Sequence, residues 1–186
     1  MGEATRRKSE YNAWIAGLDN EERHVVETAY SLYKILPPAA CYRASLFLQY
    51  HLKKCYNIEG NAVIGFVNDG TDNLYSSHAW YVFQDKMTDI AISRPMNPSI
   101  QNAGHLIIHG NIIKAGWEKW NYHTERPTDA SEALQSLRSI GHGAYVDNLE
   151  NIHSYMKNIS NNADLIREYL DNAPDKLSYD VIVSKL

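Results

Sequence analysis

Two prolines in succession, Pro37-Pro38, punctuate the N-terminal part of this 186-residue chain. Proline lacks an amide N–H, and its ring disfavours helix in the residue before it, so no helix runs through the pair. On one side Val25, Val26, Ala29, Leu32 and Leu36 fall at helical spacing and predict a helix over 20–36, with Asp19 or Asn20 as N-cap. On the other, Cys41, Ser45, Leu48, Leu52 and Cys55 repeat that spacing and predict a second helix over 39–56. Cys41 therefore sits in a first helical turn, directly after the break.

The periodicity then changes. Residues 62–67 read as a buried strand, followed by the polar turn Asn68-Asp69-Gly70-Thr71-Asp72-Asn73 and by strands over 78–83 and 86–92. Residues 105–122 hold one or two more strands, punctuated by Gly104, Gly110 and Gly116. Thr128, Asp129, Ser131 and Glu132 open a helix to about 140 that Gly141 would cap, and 145–170 is helical with a break near Asn161-Asn162. Residues 179–183 receive no assignment. Helices at both ends of a strand-rich middle give an α+β fold. The length fits one domain over 1–186, its C-terminal part, 128–186, being helical.

Charge and hydropathy exclude several functions. The net charge is −4 and the basic residues are scattered apart from Arg6, Arg7 and Lys8, which argues against nucleic acid as a partner. The longest apolar runs, such as 62–67, fall far short of the ~20 residues that span a bilayer, so no membrane partner is expected. The first thirty residues lack an apolar block, and Arg6 stands where a myristoylation signal needs Ser or Thr. Two cysteines suit a reducing compartment and a cytoplasmic location. Ser184-Lys185-Leu186 is a peroxisomal address only in a eukaryote, and the sequon Asn158-Ile159-Ser160 goes unused in a cytosolic protein.

Cys41 is the residue with most chemical potential. Unpaired N–H groups and the helix dipole at a helix N-terminus favour thiolate over thiol, and the same N–H groups can receive an oxyanion. The competing reading is a small core residue on an apolar stripe. A disulfide with Cys55 is excluded, because along one helix the two would lie about 21 Å apart, whereas bridged Cα atoms lie within about 7 Å. Cys55 is expected in the core.

His78 and Asp89 supply the other two groups, subject to register. If Gln84-Asp85 forms a two-residue turn, Phe83 faces Lys86, Trp80 faces Asp89, and His78 and Asp89 become diagonal neighbours on one face. A three-residue loop would separate them, and Gln-Asp is not the Asn-Gly pair that tight hairpins prefer. Nucleophile, base and orienting acid, in that order, are the parts of thiol catalysis.

Other features carry less. His105 and His109 would share a strand face, but a third metal ligand is missing and no metal site is assigned. Gly141-His142-Gly143 reads as a helix cap rather than a phosphate loop. Trp117, Trp120 and Tyr122 could line a cleft or pack as ordinary aromatics.

Cys41-Tyr42-Arg43-Ala44-Ser45-Leu46, the following helix, Ala62-Val63-Ile64-Gly65-Phe66, His78-Ala79-Trp80 and Asp89 together resemble the core of the transglutaminase-like superfamily. The nearest branch is the bacterial one that includes lasso-peptide leader peptidases. The resemblance covers 37–92. It implies a papain-like core in which the cysteine helix packs on an antiparallel sheet, with Cys41 as nucleophile, His78 as base and Asp89 as third member. The glutamine that supplies an oxyanion donor in papain-like proteases is missing, Ile35 and Leu36 occupying that region, which leaves Tyr42 or another side chain to substitute for it. Tyr42 and Trp80 are the candidate substrate-binding residues.

The expectation is a cysteine-dependent acyl-transfer enzyme that hydrolyses a peptide or side-chain amide through a thioester, needs no cofactor and takes a peptide or protein substrate. Two alternatives stand beside it: a non-catalytic protein-binding module with a degenerate fold of this type, and a toxin-like protein deamidase. The sequence leaves the oligomeric state open.

Overall fold

A computed structural model describes residues 3–99, 101–172 and 176–186 of the chain. Two helices precede the proline pair: α1 (Glu3–Gly17), which the periodicity did not reveal, and α2 (Asn20–Ile35). A reciprocal capping box starts α2, with Glu22 N–H donating to Asp19 Oδ1 (2.8 Å) and Asp19 N–H donating to Glu22 Oε2 (3.0 Å). Helix α3 (Cys41–Tyr56) begins two residues later than its periodicity suggests, because Ala39 adopts a left-handed φ of 57°. At its other end Asn57, also left-handed, closes the helix onto the carbonyls of Leu52 and Lys53.

Four antiparallel strands follow in the order β3-β2-β1-β6: β1 (Asn61–Asn68), β2 (Ser76–Phe83), β3 (Lys86–Thr88) and β6 (Asn121–His123). A separate hairpin joins β4 (Leu106–Ile108) to β5 (Asn111–Lys114). Strand alternation divides β2 between two environments. Ala79, Tyr81 and Phe83 enter the main core with Leu46, Phe47, Leu48 and Leu52 of α3. Trp80 and Val82 join Val67, Ile92, Trp120 and Tyr122 in a second cluster. Gly65, directly opposite His78, lets the sheet curl tightly there. A Cβ on it would come within 2.3 Å of the His123 carbonyl oxygen and 2.6 Å of the Trp80 ring.

The β2–β3 turn has the two-residue form, with Phe83 opposite Lys86, Val82 opposite Met87 and Tyr81 opposite Thr88. Gln84 and Asp85 both take positive φ, 49° and 56°, the conformation a tight hairpin demands. The strand expected over 86–92 stops early, so Asp89 never pairs with Trp80. Asp89 instead bridges to Ile107, and its Oδ1 accepts from the N–H groups of Ala91 and Ile92 (3.0 and 3.2 Å), turning the chain away.

Beyond the sheet come α4 (Thr128–Leu137), α5 (Gly143–Ile159), α6 (Ala163–Asp171) and α7 (Tyr179–Val183). Helix α4 is shorter than expected; a wider turn over Arg138–His142, with Gly141 at φ 96°, leads straight into α5. Asn162 caps α6, which places the expected break correctly, and 179–183 forms α7. Ile159, Ile166, Leu170, Tyr179 and Ile182 enter the same core as α2, α3 and the sheet. Cys55 is not in that core as expected: it is exposed at the end of α3, its Sγ 3.7 Å from His51 Nδ1. Among the described residues, no helix is long and apolar enough to cross a membrane.

Candidate active site

Cys41 is the first residue of α3 and lines a cleft of about 410 Å³ together with Tyr42, Ser77, His78, Gln101 and Trp120. The first bond within the helix runs from Ala44 N–H to the Ala40 carbonyl (2.9 Å), and Ala40 offers no side-chain cap. The N–H groups of Cys41, Tyr42 and Arg43 therefore have no helical acceptor, and the dipole adds partial positive charge beside the sulfur.

His78 enters from the start of β2. Its Nε2 lies 2.7 Å from Asp89 Oδ2, and both side chains are almost fully buried. With Nε2 engaged, Nδ1 is the ring nitrogen left for the Cys41 thiol. Burial alone would disfavour the imidazolium. The Asp89 carboxylate and Cys41, both acting on the ring, outweigh that cost and push His78 up to about 10.

Four donors surround the Asp89 carboxylate. Besides Ala91 N–H, Ile92 N–H and His78, the Tyr122 hydroxyl donates to Oδ2 at 2.9 Å. Burial pushes the Asp89 carboxyl up, but His78, Ile92 N–H and Tyr122 together hold it below its ordinary value. Tyr122 itself is raised, by burial and by the adjacent carboxylate, and so stays a donor. In the sequence Tyr122 stands out only as one of three aromatics that could line a cleft or pack. Its pairing with Asp89 depends on β6 joining the far edge of the sheet, which local pattern does not encode.

Tyr42 does not point free into the cleft as an oxyanion donor. Burial pushes its hydroxyl up to about 12, and it donates to Ser77 Oγ at 2.7 Å. Ser77 Oγ in turn lies 2.6 Å from His153 Nδ1, and burial with Arg126 and Lys157 nearby lowers the His153 imidazole. A neutral His153 accepts from Ser77, giving a directed chain Tyr42 → Ser77 → His153 that ties α3, β2 and α5 together. His153, stacked on Phe66 at 4.3 Å, had no sequence signal.

Trp80 does not line the cleft; it is 6% exposed and packs edge-on against Tyr122 at 5.2 Å, behind His78. Trp120 does line it, with its indole N–H on the Asn102 carbonyl (3.2 Å). Trp117 lies away from the cleft wall, half-exposed, donating to the Asp69 carbonyl. The two histidines weighed as metal ligands have separate partners. His105 Nδ1 accepts from Gly116 N–H (2.8 Å), and His109, in the β4–β5 turn, meets Glu22 (2.9 Å).

Comparison with protein families, with curated proteins and with solved structures finds no match for this chain.

Proposed function

We propose that this protein is a cysteine-dependent acyl-transfer enzyme with a papain- or transglutaminase-like core, hydrolysing a peptide or side-chain amide. The observation that carries the reading is the buried His78–Asp89 pair, 2.7 Å apart, opening on the cleft that holds Cys41 at a helix N-terminus. Cys41 Sγ attacks the amide carbon, and the carbonyl oxygen takes up the electron pair. The uncapped N–H groups of α3 receive that oxyanion, a role that needs no glutamine. His78, charged by the Cys41 proton, passes it to the departing amine as the C–N bond breaks and a thioester remains. Water then attacks the thioester, His78 takes its proton, and the carboxylic acid leaves with Cys41 restored. Asp89 fixes the imidazole tautomer and stabilises its cation throughout.

The pH dependence of iodoacetamide alkylation, read by intact mass, tests this on the wild type, Cys41→Ser and His78→Ala. Rapid modification of Cys41 at neutral pH in the folded protein, slowed sharply without His78, is the expected result. A Cys41 that stays inert until the protein unfolds would sink the proposal.

A further inference from the structure

Arg43 occupies the third position of α3 in a setting that opposes a cation three times over. It is 5% exposed, and burying a charge is costly. It stands at the positive end of the helix dipole, where a cation is disfavoured. Its Nε and Nη1 are buried without a partner among the described residues. A buried guanidinium normally finds a carboxylate or a set of carbonyls. Here it lines a cavity of about 300 Å³ with Pro38, Ala40, Tyr42, Met96 and Tyr169. That cavity shares Ala39, Tyr42 and Met96 with the Cys41 cleft, so the two open side by side.

A bound anion in that cavity would offset both the buried charge and its unfavourable place at the helix start. The lining contains no acidic side chain, the planar guanidinium of Arg43 can present parallel donors to a carboxylate, and the N-terminus of α3 adds positive potential. We infer that the Arg43 cavity is a carboxylate-binding subsite beside Cys41, and that the preferred substrate carries a carboxylate next to the amide that is attacked. The carboxylate is either an acidic side chain or a C-terminal group. The place of the subsite in the reaction rests on the hydrolase reading above, whereas carboxylate binding at Arg43 does not.

The test titrates blocked Ala-Ala-Glu-Ala and Ala-Ala-Gln-Ala, and tetra-alanine with a free or an amidated C-terminus, into Cys41→Ser by calorimetry. One carboxylate peptide should bind about tenfold or more tightly than its neutral partner, and which one identifies the source. Arg43→Met should abolish that preference and Arg43→Lys should weaken it, since lysine keeps the charge but not the fork. Equal affinities, a preference that survives Arg43→Met, or no carboxylate binding at millimolar concentration would each overturn the subsite. Because the guanidinium has unmet donors, Arg43→Met is expected to fold, with an unchanged or higher Tm; Arg43→Lys keeps the test usable if it does not.

Alkylation of the wild type separates the two proposals. Cys41 that reacts with iodoacetamide but shows no advantage for iodoacetate, relative to free cysteine, removes the subsite and leaves the nucleophile. Cys41 inert to iodoacetamide while carboxylate peptides bind through Arg43 removes the hydrolase and leaves the subsite.

Discussion

Tyr122 donates its hydroxyl to the same Oδ2 of Asp89 that holds the His78 ring, at 2.9 and 2.7 Å. Tyr122 lies on the edge strand β6 and Asp89 directly follows β3 at the other edge, so this bond closes the curl of the strands over His78. Tyr122→Phe removes one buried hydrogen bond to a charged acceptor and little volume. It should cost about 1.5–3 kcal/mol at neutral pH. Asp89 sits below its ordinary value in the fold, so the stability its charge contributes is present above pH 3.8 and lost as pH falls further. Urea unfolding of both proteins, followed from neutral pH down through the acid range until Asp89 protonates in the fold, should show the gap narrowing. A gap that does not change with pH would mean Tyr122 acts by packing alone.

The same linkage runs the other way for the imidazole. His78 is raised from 6.5 to about 10, so its contribution is fully present below pH 6.5 and lost as pH rises towards 10. Together the two limits place the full contribution of the pair between about pH 4 and 6.5. His78→Gln should therefore lose most stability relative to wild type near pH 6 and least near pH 10. Thermal melts across that range decide it, and a difference that grows with pH would contradict a charged His78.

Much of this arrangement was legible beforehand because it is local. Pro37-Pro38 positions Cys41 near a helix start by backbone chemistry, and the two-residue turn at Gln84-Asp85 sets the expected β2–β3 register up to Thr88, next to which Asp89 reaches His78 from its own turn rather than from a ladder. What was not legible depends on distant partners. β3 gives up its expected length because the Asp89 carboxylate takes backbone N–H groups that a ladder would have used. Tyr122, His153 and the lonely Arg43 acquire their roles only through elements far away in sequence, and no spacing announces them. Helix α1 escaped because charged and polar residues fill most of its length and few apolar ones mark a face.

The turn itself is a place where the sequence departs from what its geometry favours. Gln84 and Asp85 both hold positive φ, which Asn and Gly adopt at lower cost. Gln84→Asn with Asp85→Gly should raise stability by about 0.5–1 kcal/mol. Because it tightens the register between His78 and Asp89 without touching either, Cys41 alkylation should be unchanged. A lower Tm would show that the native side chains compensate for the strain.

Gly65 sets a harder limit. Opposite His78, its missing Cβ is the space in which the His123 carbonyl and the Trp80 ring approach β1. Gly65→Ala must push β6 or the indole outward, an overpacking cost of about 1–3 kcal/mol. Because Tyr122 lies on β6, one residue before His123, that displacement should also lengthen its bond to Asp89 and loosen His78. The expected signature is a lower Tm together with a changed near-ultraviolet signal from Trp80 and slower alkylation of Cys41. If Gly65→Ala melted like the wild type, the close approach would not be part of how the sheet holds its site.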